Sequence, residues 1–191
     1  MSDQPHEPAR QATLFESEVL PHVDRLYRLA MWWERDRQEA EDLVQETLVQ
    51  ALRSFHRYAP GTNCRAWLLS ILQHVRSNRR RARLRRLTHE EELEPIAEVA
   101  AFVPPVPEFI TDEDVLAALS GIPRSYQDII LLCDVEELTY KEIAAVLQIP
   151  MGTVMSRLHR GRALLREQLA SRRGDSGAIA PAGRHSSREA K

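Results

Sequence analysis

From Leu138 to Arg166 the chain reads LTYKEIAAVLQIPMGTVMSRLHRGRALLR, and no other stretch limits the possible fold so tightly. Thr139 and Glu142 stand in T-x-x-E spacing. This is a capping box, in which the hydroxyl takes an orphan amide of the first helical turn and the carboxylate returns to the cap amide. The spacing predicts a helix from Tyr140, with Ile143, Ala144, Val146 and Leu147 on one apolar side and small Ala144 where a second helix must come close. Pro150 is expected to stop it, because proline donates no amide and restricts the residue before it. The helix that follows turns Val154, Leu158 and Leu165 inward and leaves Ser156, Arg157, His159, Arg160 and Arg162 for solvent or a ligand. Two short helices around a tight turn, the second one basic, make a helix-turn-helix, and an α-helix fits the major groove of B-DNA. A plain helical hairpin with a solvated arginine face has the same pattern, so the rest of the chain must decide.

The 191 residues can hold two domains of the smaller kind, each with a modest core. Glycine is scarce and apolar residues recur at helical spacing, so the expectation is all-α, with no sheet. No apolar run approaches the roughly 18 residues of a membrane span, and MSDQPHEPARQ at the start is polar. We therefore expect a cytoplasmic protein with no membrane insertion. Cys64 and Cys133 stand alone, without C-x-x-C spacing, which is the usage of ordinary thiols in a reducing compartment, although a disulfide switch between them stays open.

The formal charge of −2 hides a strong segregation. Between Arg57 and Leu87 there are nine arginines and no Asp or Glu, and from Glu90 to Asp114 there are nine acids and no Lys or Arg. A local patch sets attraction to phosphates, so the first block should touch nucleic acid and the second should avoid it or imitate it.

Along the chain, residues 1–12 are expected to lack structure. A first helix is predicted over Thr13–Trp33, with Leu14, Val19, Val23, Leu26, Tyr27 and Ala30 available for burial, and with Pro21 marking either a kink or a helix start near Leu20. Asp36 and Glu39 can cap a second helix, in which Ala40, Leu43, Val44, Thr47, Leu48, Ala51, Leu52 and Phe55 keep the i, i+3, i+4 rule. Its outer face carries Glu41, Asp42, Gln45, Glu46 and Gln50, by chemistry alone a solvated acidic surface. Tyr58–Asn63, with Pro60 and Gly61, should be a loop. A third helix from Arg65 has Trp67, Leu68, Ile71, Leu72 and Val75 inside and His74, Asn78, Arg79, Arg80, Arg81 and Arg83 outside. Trp67 could stack on a base, but its apolar neighbours favour burial. Pro95, Pro104, Pro105 and Pro107 make the acidic stretch over 88–110 an extended linker. A second domain over 111–170 opens at Thr111, whose T-D-E-D run favours a helix start, and rests on Val115, Leu116, Leu119, Ile122, Ile129, Ile130 and Leu132. Residues 171–191 read as a flexible tail.

Two strings carry a family resemblance. IPMGTVMSRLHRGRALLRE closely resembles region 4.2 of the extracytoplasmic-function (ECF) sigma factors, and EDLVQETLVQAL resembles region 2.2 of the same sigma-70-type initiation factors. They lie about 100 residues apart in the expected order. The resemblance implies that residues 13–87 are region 2 and 111–170 region 4. It places core RNA polymerase on Asp42, Gln45 and Glu46 through the β′ coiled coil, with the β flap as a further contact. Their i, i+3, i+4 spacing puts the three on one stripe, as a helix-on-helix contact requires. It further implies that Asn63, Arg65, His74, Asn78, Arg79, Arg80 and Arg81 meet the minus-ten promoter DNA, by clamping phosphates and holding unstacked bases. Thr153, Met155, Ser156, Arg157, His159 and Arg160 would meet the minus-thirty-five element. Two positions depart from the pattern: His74 stands where many relatives have asparagine, and Met155 where they often have Arg or Lys. The GTVMSRLHRGR wording resembles the branch tied to thiol and oxidative stress, whose members are commonly held by a zinc-containing anti-sigma factor.

A stand-alone helix-turn-helix regulator remains the competing reading. It would need neither the Asp42, Gln45, Glu46 stripe nor the basic loop and helix. An enzyme is set aside, since the chain has no P-loop, no G-x-S-x-G and no metal-ligand spacing. No catalytic residue, metal or cofactor is expected.

Overall fold

A computed structural model describes residues 7–86 and 111–176, and the regular elements among them are all helical, in line with the all-α expectation. The stretch expected to form one helix over 13–33 is two, α1 (Glu7–Val19) and α2 (Val23–Glu34), with a 3-10 turn at Leu20–His22 between them. Pro21 sits in that turn, where its missing amide interrupts the helical ladder. Helix α1 also begins earlier than Thr13, inside the stretch expected to lack structure. Pro8 is compatible with this, since the first helical turn needs no amide donor.

Arg35 takes a left-handed φ of 55° and its amide closes on the Met31 carbonyl at 3.0 Å, which ends α2. Asp36 then caps α3 (Arg37–Ser54), its Oδ1 accepting from the Glu39 amide at 2.9 Å. After a loop in which Gly61 supplies a φ of +83°, Asn63 Oδ1 accepts from the Ala66 amide at 3.2 Å and α4 (Cys64–Arg86) begins. Backbone contacts group the described residues into two compact units, 7–86 with 137–154, and 111–136 with 155–176.

The first unit is built on α2, α3 and α4. Leu26, Leu29, Ala30 and Trp33 face Ala40, Leu43, Val44, Thr47 and Ala51, and Leu68, Leu69, Leu72 and Val75 close the core from α4. At about 1.5–3 kcal/mol per fully buried Leu or Val, this cluster carries the unit. Thr47 is buried without cost to its hydroxyl, which donates to the Leu43 carbonyl at 2.7 Å. Two expected core residues are corrected: Leu52 is 58 % exposed and Leu14 is 38 % exposed, each on the outward side of its helix. Leu69, outside the expected stripe, is fully buried.

This unit also holds α7 (Tyr140–Leu147), in contact with α4. The Thr139–Glu142 capping box is formed at both ends, with Glu142 Oε2 2.8 Å from the Thr139 amide. Helix α7 ends before Pro150, at Gln148, whose φ of 54° is left-handed. Pro150 serves the next helix instead, its carbonyl accepting from Thr153 and Val154 amides at 2.9 and 3.2 Å.

The second unit holds α5 (Asp112–Ser120), α6 (Arg124–Ile130) and most of α8 (Met151–Ser176). Thr111 and Asp114 form a complete capping box on α5. Helix α6 continues into a π turn at Leu131–Val135, closed by the Glu136 amide on the Leu131 carbonyl at 2.9 Å. Leu119, Ile122, Ile129, Ile130, Leu132, Leu158 and Leu169 form the core. Val115 and Leu116, expected there, are 38 % and 52 % exposed, since α5 turns its Ala118–Leu119 edge inward. Helix α8 runs to Ser176, past the expected tail boundary at 171. The predicted linker over 88–110 and the tail beyond Ser176 lie outside the described residues.

Candidate nucleic-acid and partner surfaces

The Asp36 cap sets the phase of α3, and that phase decides what its outer face shows. With Leu43, Val44 and Thr47 buried, Asp42, Gln45 and Glu46 all fall on the exposed side, one turn long. The face is not simply solvated. Arg79 of α4 reaches it, donating from Nε to Glu46 Oε2 at 2.8 Å, with Nη1 3.9 Å from Glu39. Arg83, one turn on, lies 2.6 Å from the other oxygen of Glu39 and 4.0 Å from Glu34.

The basic loop and helix carry the expected minus-ten residues, and the structure gives them different surroundings. Tyr58 anchors the loop, its hydroxyl within 2.9 Å of Glu18 Oε2 and 3.0 Å of the Thr62 carbonyl. Burial, then the hydrogen bond with Glu18, pushes Tyr58 up to about 12. Phe55 and Trp67 pack on it, with ring centroids 5.5 and 5.0 Å away, so Trp67 is a half-buried member of an aromatic cluster. Asn63 is committed on both sides: beside capping α4, its Nδ2 donates to Glu142 Oε1 at 2.7 Å. Arg65 is half-buried. Burial, and then the charges of Arg65 and Arg25, push nearby His22 below the ordinary imidazole value.

His74 and Asn78 are exposed and bonded to each other at 2.9 Å. Arg80 and Arg81 are exposed. His74 and Arg81 line an open cleft of about 680 Å³ together with Gln50, Arg57 and Trp67, while Ala145–Gln148 at the end of α7 form its other wall. Gln50 and Arg57 were not singled out as site residues, and only the arginine block that Arg57 opens could have signalled it. Arg76 is diverted inward, its guanidinium 4.3 Å from the centre of the Trp33 ring.

On α8, Val154 and Leu158 are buried, which turns Met155, Ser156 and His159 to solvent and leaves Thr153, Arg157 and Arg160 half-buried. Arg162, grouped with the outward residues from sequence, is instead bound through two nitrogens to the Asp134 carboxylate. Cys64 is buried and Cys133 half-buried, and neither is in a disulfide. Burial raises both thiols above their ordinary range. Among the described residues no cluster of His, Cys, Asp and Glu could hold a metal, and no helix is long and apolar enough to cross a membrane.

Residues 19–86 match the family described as Sigma-70 region 2, and residues 112–165 match Sigma-70, region 4. The chain is 40% identical over 162 residues to the ECF RNA polymerase sigma factor SigE of Mycolicibacterium smegmatis, across 80% of this chain and 60% of that relative. It is 31% identical over 149 residues to the ECF RNA polymerase sigma factor EcfG of Rhodopseudomonas palustris, across 78% and 81%. Among solved structures, the sigma factor RpoE from Bartonella quintana, in complex with the anti-sigma factor NepR, superposes with a TM-score of 0.64 at 28% identity, over 82% of this chain and 96% of that one. Both family segments lie in the order that the two sequence strings require, and the chain belongs to the extracytoplasmic-function group of the sigma-70 RNA polymerase sigma factors.

Proposed function

We propose that this chain docks on core RNA polymerase through Asp42, Gln45 and Glu46, directs the enzyme to specific promoters and promotes DNA opening. The observation that carries this reading is the pairing, within one compact unit, of an exposed acidic stripe on α3 with a cleft and basic helix on α4. A stand-alone regulator has no use for either. In the proposal the β′ coiled coil lies along the stripe and region 4 meets the β flap. Asn63, Arg65, His74, Asn78, Arg80 and Arg81 face the minus-ten strand, and Thr153, Met155, Ser156, Arg157, His159 and Arg160 enter the major groove at the minus-thirty-five element.

The relative solved with NepR supports an anti-sigma factor as a further partner. The wording of α8 supports the thiol and oxidative-stress branch, and with it a zinc-containing anti-sigma factor. The site of action is the bacterial cytoplasm. The test is in-vitro transcription with core polymerase on promoters selected from a random library, comparing the unaltered chain with Asp42→Arg/Glu46→Arg. Promoter-specific transcripts with the first and none with the second are expected. Specific promoter binding that needs no core enzyme would overturn the proposal in favour of a stand-alone regulator.

A further inference from the structure

The arginine block of α4 divides into two groups by what its members face. Arg80 and Arg81 are exposed. Arg79 is turned toward α3, with only 26% of its side chain accessible, and holds Glu46 at 2.8 Å while lying 3.9 Å from Glu39. Arg83 holds the other side of Glu39 at 2.6 Å. Three carboxylates, Glu34, Glu39 and Glu46, and two guanidiniums thus form a ladder from the end of α2 along α3 to α4. Isolated exposed pairs stabilise little, but a ladder shares the ordering cost among its members, and the planar guanidinium fixes the carboxylate it holds. Glu46 is the member of the ladder that also belongs to the Asp42, Gln45, Glu46 stripe. Its own side chain is 54% accessible, so one oxygen is held while the group still faces outward.

We propose that Arg79 is a positioning residue for polymerase docking and not a phosphate contact of the minus-ten element: it fixes the rotamer of Glu46 so that its carboxylate is presented ready-ordered to the partner helix. The inference rests on the docking role proposed for the stripe. It also narrows the DNA-facing charge of α4 to the arginines that are turned away from α3.

The experiment measures binding of fluorescently labelled full-length chain to core polymerase, and binding of the resulting holoenzyme to a minus-ten single-stranded oligonucleotide over a range of salt. Arg79→Ala should weaken core binding about two- to fivefold and should have no further effect in a Glu46→Ala background, since a residue acting through another is non-additive with it. Arg79→Lys, which keeps the charge but not the fork, should recover part of the loss. At saturating core enzyme the oligonucleotide affinity and its salt slope should not change, whereas Arg81→Ala should lower both. Unchanged core affinity with a shallower salt slope for Arg79→Ala would make Arg79 a phosphate contact and overturn the proposal. So would additive losses in the double variant, with helicity and thermal midpoint checked by circular dichroism to separate misfolding. Asp42→Arg serves as the control for the stripe itself: if it too leaves core binding intact, the docking role fails first, and the inference falls with it.

Discussion

Gly161 and Gly152 lie on the same helix, α8, and the structure predicts opposite responses to the same substitution. At Gly152 a built Cβ meets nothing within 4 Å, so Gly152→Ala adds only helix propensity and should stabilise by about 0.5–1 kcal/mol. At Gly161 the Cβ would lie 3.1 Å from Tyr126 Cβ and 3.2 Å from Ile130 Cδ1, both on α6. The Ile130 methyl can swing aside, but Tyr126 Cβ is fixed to the backbone, so α6 and α8 must separate by a few tenths of an ångström. Overpacking of this kind costs about 1–3 kcal/mol, against which the propensity gain recovers at most about 1. The net expectation for Gly161→Ala is a loss of up to about 2 kcal/mol, and the two variants, which share the propensity gain, should differ by about 1–3 kcal/mol. For a domain of this size each kcal/mol moves the midpoint by roughly 4–8 °C, so thermal unfolding followed by circular dichroism resolves the difference easily. Because α8 carries the expected minus-thirty-five residues, Gly161→Ala should also weaken specific promoter binding. Equal midpoints for the two variants would show that the α6–α8 approach is not the constraint described.

Glu142 gives a pH dependence. Burial alone would push its carboxyl up, but hydrogen bonds from the Thr139 amide and hydroxyl and from Asn63, with the charge of Arg65, bring it below the ordinary carboxylate value. A depressed folded value means stability that is complete above the unfolded value and lost as pH falls through the folded one. Unfolding of the unaltered chain and Glu142→Gln by denaturant should therefore differ most near neutrality and converge in acid, and a gap that widens in acid would reverse the sign. Arg160→Ala should weaken minus-thirty-five binding by about 1–3 kcal/mol if it reads a base edge, or uniformly across sequences with a shallower salt slope if it holds phosphate; no change in either quantity would show that the Arg160 face of α8 does not meet the DNA. His74→Ala should reduce promoter opening, seen by permanganate footprinting, more than holoenzyme assembly, and equal losses would remove His74 from the cleft's function.

Helix boundaries were legible wherever a local rule sets them. Asp36, Thr111 and Thr139 cap as their spacing requires, because a cap needs only side chain and amides three residues apart. Pro21 was legible as an interruption for the same reason. The stop assigned to Pro150 was not, since the left-handed turn at Gln148 comes first and no glycine announces it. The early start of α1 at Glu7 was likewise missed, as polar residues give no apolar periodicity to read.

What the sequence determined by itself is the helical class, the phase of α3 and α8, and the family, each of which depends on neighbours within a turn or two or on short ordered strings. Only the tertiary structure decided which periodic residues are covered: Leu52, Val115 and Leu116 obey the spacing but stay exposed, while Leu69, outside the expected stripe, is buried. It also decided the fate of the charges. Arg79 meets Glu46 across 33 positions and Asn63 meets Glu142 across 79, distances at which no sequence pattern can distinguish a phosphate clamp from a brace between helices. Burial and long-range pairing depend on what the folded chain brings alongside a residue, and a one-dimensional period records only which side of its own helix the residue occupies.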